Sequence, residues 1–213
     1  MRSLLQNVLK KVIFIVGLLL ITSSAYAQVT YTDSVCAGEL DVVYGVSNAV
    51  STSTYAWSLS DPAAGTIDAT ISGNNSTIEI DWSTTVGTYT LYVVETSVNG
   101  CIGDTVPLNI VVNPLPTATL AADSVCEGFN GTLTFDLTGT APWYIAYTDG
   151  TTNFTDTANS TPFIVSLPAY TTSQAFNVTS LSDANGCAAD PAALPSTNLV
   201  VFPKPSTGAI FHY

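Results

Sequence analysis

The stretch Thr88-Tyr89-Thr90-Leu91-Tyr92-Val93-Val94-Glu95-Thr96-Ser97-Val98-Asn99-Gly100-Cys101 carries the decisive pattern. Tyr89, Leu91 and Val93 fall on one face under period-two alternation, the mark of a half-buried strand. Asn99-Gly100 then supplies a tight turn, because both residue types tolerate the left-handed backbone that a hairpin demands. Beyond it Thr105–Val112 reads as a second strand, and the chain leaves through Val111-Val112-Asn113-Pro114-Leu115-Pro116.

Working outward, the same marks return. Asn99-Gly100-Cys101 recurs as Asn185-Gly186-Cys187, 86 residues later. The exit recurs as Val200-Val201-Phe202-Pro203-Lys204-Pro205, offset by 89. Upstream, Asp33-Ser34-Val35-Cys36 recurs as Asp123-Ser124-Val125-Cys126, offset by 90. Solenoid units repeat every ~20–50 residues, so whole modules are duplicated here.

The first module offers further strands at Leu40–Val46, Thr54–Leu59, Thr66–Ile71 and Thr77–Trp82. The second offers Gly131–Leu137, Trp143–Thr148, Pro162–Leu167, Gln174–Leu181 and Asn198–Phe202. No sustained 3.6-residue apolar period follows residue 27, and Thr, Val, Ile and Tyr alternate with Gly and Pro punctuation. The expected fold is all-β: two tandem immunoglobulin-like β-sandwiches. Domain 1 is placed at 28–113, domain 2 at 114–205 and a C-terminal tail at 206–213.

Residues 1–27 read as a signal peptide. Arg2, Lys10 and Lys11 precede an apolar run from Val12 to Ile21, and Ala25-Tyr26-Ala27 is an A-x-A cleavage site. Ten residues of helix rise only about 15 Å, half a bilayer's hydrocarbon core, so the mature chain is expected to be exported without membrane insertion. Its compartment is the periplasm, the outer-membrane surface or the extracellular space. Beyond Ala27 stand sixteen acidic residues and one basic residue, Lys204. Such a surface repels phosphate backbones and anionic headgroups, which argues against nucleic-acid and membrane-surface binding and leaves cations or a positively charged partner open.

Four cysteines permit three pairings. Equivalence of the modules selects Cys36–Cys101 and Cys126–Cys187, one staple per sandwich, each contributing about 4 kcal/mol by loop closure. Export makes oxidation plausible. A hinge is then expected at Asn113–Pro116, where two prolines stiffen a short linker. Trp57, Trp82, Trp143 and Tyr147 have two readings: the inward-facing core of a sandwich, or an exposed sugar platform.

These residues resemble the PKD-like and Ig-like modules of exported Bacteroidota proteins linked to type IX secretion, gliding motility and adhesion. The first module carries the match in Cys36-x-Gly38, Tyr55-x-Trp57, Ile78-x-Ile80-x-Trp82, Gly87-x-Tyr89 and Asn99-Gly100-Cys101. The second carries it in Cys126-Glu127-Gly128, Leu133-x-Phe135, Gly139-Thr140-Ala141-Pro142-Trp143 and Ser182-Asp183-Ala184-Asn185-Gly186-Cys187. The second lacks a Trp82 equivalent and is nearer a generic Ig-like domain. The resemblance implies a component or accessory of secretion, gliding or surface-adhesion machinery. Ser34, Thr105, Ser124 and Thr157 stand in D-[ST]-aliphatic sequences that resemble the O-glycosylation motif of the same bacteria.

Catalytic groups are scarce. The single histidine, His212, is next to the C-terminus, and no arginine follows residue 27 to clamp an oxyanion or phosphate. No HExxH, P-loop or EF-hand sequence occurs, so no cofactor or metal site is expected. The chain therefore reads as a non-enzymatic module that contacts an envelope or cell-surface protein. A glycan-binding or calcium-dependent adhesive spacer is the alternative. Ile210, Phe211, His212 and Tyr213 are the candidate partner-binding residues, because the tail turns apolar again after Pro203 and Pro205.

Overall fold

Alternating side chains need two layers to bury one face of each strand, and both modules meet this need as sandwiches. The computed structural model describes residues 32–212; the expected signal peptide and Tyr213 lie outside them. The first module comprises β1 (Thr32–Cys36), β2 (Val42–Gly45), β3 (Thr54–Leu59), β4 (Gly65–Asp68), β5 (Thr77–Trp82), β6 (Gly87–Thr96) and β7 (Val106–Asn113). One sheet runs β1-β7-β6-β3 and the facing one β2-β5-β4. The second comprises β8 (Ala118–Ala122), β9 (Ser124–Cys126), β10 (Asn130–Leu137), β11 (Trp143–Thr148), β12 (Asn153–Ala158), β13 (Phe163–Ala169), β14 (Gln174–Ser182) and β15 (Ser196–Phe202). Its sheets run β12-β11-β14-β15-β9 and β13-β10-β8.

The chain is all-β, with tandem immunoglobulin-like sandwiches. In the first core Ile78, Ile80 and Trp82 of β5 face Tyr89 and Leu91 of β6 and Ile110 and Val112 of β7. In the second, Leu133, Phe135 and Leu137 of β10 meet Trp143, Ile145 and Tyr147 of β11 and Phe176 of β14. Phe135 is fully buried and tilts against Tyr147 and Phe163, with centroids 5.5 and 6.2 Å away. Burying such a side chain contributes about 1.5–3 kcal/mol.

Four strands escaped the sequence reading: β1, β8, β9 and β12. β1 and β9 are short edge strands that pair in parallel with β7 and β15, so their partners lie far along the chain. β12 alternates exposed polar with half-buried residues, a pattern also found in loops. Boundaries moved where local polar bonds end a ladder. The run expected from Thr66 to Ile71 stops at Asp68, whose carboxylate accepts from both the amide and hydroxyl of Thr70. The run expected from Leu40 begins at Val42, after Asp41 turns at a φ of 56°.

The cysteine pairing requires correction. Cys36 is bonded to Cys187, not to Cys101, and Cys101 and Cys126 are free. The strand register explains this. Cys36 lies opposite Asn113 at the end of β7, whereas Cys101 lies in the turn that precedes the start of β7. An eight-residue strand spans about 26 Å, so these two cysteines occupy opposite poles of one sandwich. The same holds for Cys126, opposite Phe202 at the end of β15, and Cys187, before its start. The expected hinge is correspondingly a clamped junction. Pro116 is fully buried, its ring beside Gly139, and the disulfide closes across the linker.

Candidate functional site

The cysteine turns are hydrogen-bonded surface features, and each type is made twice by the same backbone bonds. In the first module the Ser97 amide donates to the Cys101 carbonyl at 2.9 Å, and the Gly100 amide returns a bond to the Ser97 carbonyl at 2.9 Å. In the second, Asp183 and Cys187 are joined at 3.0 Å, and Gly186 and Asp183 at 3.0 Å. Gly100 and Gly186 share a φ of 80°, a left-handed backbone that a side chain would strain. Ser97 Oγ accepts the Cys101 amide; in the second module the buried Asp183 carboxylate accepts the amides of Cys187, Asn185 and Thr140.

The opposite turns also match. The Ala37 amide donates to the Asn113 carbonyl and the Glu127 amide to the Phe202 carbonyl, each at 2.8 Å. The Glu39 and Phe129 amides donate to the Cys36 and Cys126 carbonyls, each at 3.1 Å. Gly38 and Gly128 follow with φ values of 76° and 83°. Along the molecule the order is therefore a free Cys101, the first sandwich, the Cys36–Cys187 bridge, the second sandwich and a free Cys126.

Large apolar side chains flank both free thiols. Val98 and Ile102 beside Cys101 are 72% and 75% exposed, and Phe129 and Phe202 beside Cys126 are 63% and 52% exposed. At the start of β7, close to the Cys101 turn, Trp57, Leu91, Val93 and Val106 help to line a recess of about 350 Å³.

The aromatic residues separate the two readings given to them. Trp82, Trp143 and Tyr147 are buried, and Trp57 is half-buried with its indole N–H donating to the Asn75 carbonyl at 2.7 Å. Burial and the Asp156 carboxylate raise the Tyr147 hydroxyl above the usual tyrosine range, fixing it as a donor to Asp156. These rings do not form an exposed platform.

Of the tail residues, Ile210 is fully exposed, Phe211 is 71% exposed and His212 is exposed, with no strand from 203 to 212. Tyr213 lies outside the described residues. Ser34, Thr105, Ser124 and Thr157 all reach solvent. Among the described residues, no helix is long and apolar enough to cross a membrane, and no three His, Cys, Asp or Glu side chains gather as metal ligands.

No protein-family model and no curated protein matches the chain. Solved structures do match. The fibronectin(III)-like modules of Clostridium thermocellum CbhA are similar at 15% identity over 88% of this chain and 98% of that one, with a TM-score of 0.37. Extracellular domains 3–5 of Drosophila OTK are similar at 11% identity over 83% of this chain, which spans 60% of theirs, with a TM-score of 0.44. The D00-D0 domain of Intimin is similar at 13% identity over 81% and 97%, with a TM-score of 0.41.

Proposed function

We propose that this chain is an exported, non-enzymatic interaction module, a two-domain unit serving secretion, gliding or surface-adhesion machinery of the type IX-linked kind. The observation that carries the reading is the covalent bridge across the domain junction. A bond between domains holds two interaction ends in a set relation. Apolar residues standing in solvent at both ends support protein contact there. The only histidine, His212, lies in the exposed tail away from either core, which supports a non-enzymatic role. The resemblance of the Cys, Trp and Asn-Gly-Cys motifs to Bacteroidota modules supports the choice of machinery.

Burial of Trp82, Trp143 and Tyr147 favours protein contact over the glycan reading. The test is recovery of partners from the native envelope with the intact chain and with a chain lacking Ser206–Tyr213. Specific recovery that depends on the tail or the poles is the expected result. Binding to an immobilised glycan array without any protein partner would overturn the proposal.

A further inference from the structure

Cys101 and Cys126 are the two halves of a linkage that the molecule already makes once. The internal bridge joins the first cysteine of one module to the second cysteine of the next, Cys36 to Cys187. By the repeat, Cys126 is the equivalent of Cys36, and Cys101 the equivalent of Cys187. Both turns keep the backbone bonds and glycine conformations of their bonded counterparts. Each free thiol is thus presented as its equivalent is presented at the junction, but with no neighbouring module against it in the single chain.

We infer that copies of this chain join head to tail, the Cys126 pole of one to the Cys101 pole of the next, through a disulfide that reproduces the internal junction. The inference deepens the proposed interaction role by naming a second copy as the partner, and it rests on that reading.

Two further observations select a second copy as the occupant. Where the internal junction has Glu39, Asn113, Ala184 and Ala188, the poles have Phe129, Phe202, Val98 and Ile102. The positions beside the bonded cysteines are small or polar, and their equivalents beside the free cysteines are large, apolar and exposed on both sides of the proposed contact. Charge agrees as well. Lys204, the one basic residue after residue 27, sits at the Cys126 pole, its ammonium 3.1 Å from the point where a Gly128 side chain would begin. The Cys101 pole presents the exposed Asp104. A contact between unlike patches is heterologous, so copies add head to tail, as an open chain or a closed ring.

The chemistry needs an oxidant, here a small-molecule disulfide such as glutathione disulfide. The Cys126 thiolate attacks one of its sulfurs and releases a glutathione thiolate. The Cys101 thiolate of the neighbouring copy then attacks the Cys126 sulfur and releases the second. Two protein thiols lose two protons and two electrons, and one disulfide is reduced to two thiols.

The experiment incubates the chain from Gln28 in a glutathione redox buffer, quenches it by alkylation and separates it without reductant. The wild-type chain is expected to give a reducible ladder containing a Cys101–Cys126 linked peptide. Cys101→Ser and Cys126→Ser alone should each remain monomeric, and their equal mixture should stop at a dimer. Retention of the Cys36–Cys187 peptide and of the melting temperature confirms that each variant is folded. Absence of a ladder, or dimers formed by either variant alone as readily as by the mixture, would overturn the inference. Failure here is distinguishable from failure of the interaction role. A Cys101→Ser/Cys126→Ser chain that still recovers an envelope partner preserves that role, and one that recovers none removes it.

Discussion

Cys36 at the end of β1 and Cys187 in the turn before β15 are bonded across the domain junction, 151 residues apart in sequence, with Cα atoms 5.5 Å apart. Each sandwich is left to its own core, and the covalent bond is spent on the orientation of one against the other. Removing it should free the domains. In a Cys101→Ser/Cys126→Ser background, the further change of Cys36 and Cys187 to Ser should cost about 2–4 kcal/mol. Calorimetry should then resolve two unfolding transitions in place of one. An unchanged single transition would contradict the clamp.

Asp183 holds the acceptor turn of that bridge. Its carboxylate takes amide bonds from Thr140 and Asn185 at 3.0 Å and from Cys187 at 3.2 Å. Asp183→Ala leaves these donors unsatisfied in a buried site, with an expected loss of about 3 kcal/mol in urea unfolding. Asp183→Asn, which keeps an accepting oxygen, should lose less. Ser97→Ala removes one bond at an exposed turn and should cost about 1 kcal/mol or less. Equal effects from Asp183→Ala and Ser97→Ala would refute the assignment.

The sequence made the sandwiches legible because local alternation writes strands such as Tyr89-Leu91-Val93 and Trp143-Ile145-Tyr147 directly. It also marked both kinds of cysteine turn through their repeated residues. What it could not write is which pole each turn occupies. That depends on β1 and β9 pairing in parallel with distant strands, and these are short edges without their own alternation. Equal modules suggested equal internal staples; the register places the two cysteines of each module at opposite ends. The apolar poles were missed for a related reason. Val98, Ile102, Phe129 and Phe202 gain meaning only when compared with Ala184, Ala188, Glu39 and Asn113 at the bonded junction.

The hairpin between β11 and β12 should carry an acid-sensitive bond. Amides of Thr152 and Thr151, and the Thr151 hydroxyl, hold the Asp149 carboxyl down to about 2. Its folded value is depressed, so its stabilising contribution is present above the ordinary carboxylate value of about 3.9 and disappears as pH falls through about 2. Carboxyl-detected NMR should show a midpoint near that lower value. A midpoint near 4 would show that the turn does not hold the carboxylate.

The tail should be dispensable for folding. Residues 203–212 form no strand and are exposed. Deleting Ser206–Tyr213 should shift the melting temperature by no more than a degree or so, since neither core loses a side chain. A marked fall, traced by hydrogen exchange to the second sandwich, would make the tail a structural strand.

The most direct test of the account is the disulfide map of the oxidised chain. Proteolysis without reductant and mass spectrometry should find Cys36 and Cys187 in one linked peptide. Recovery of Cys36 with Cys101, or of Cys126 with Cys187, would return the staples to the individual domains and contradict the clamped junction on which the rest depends.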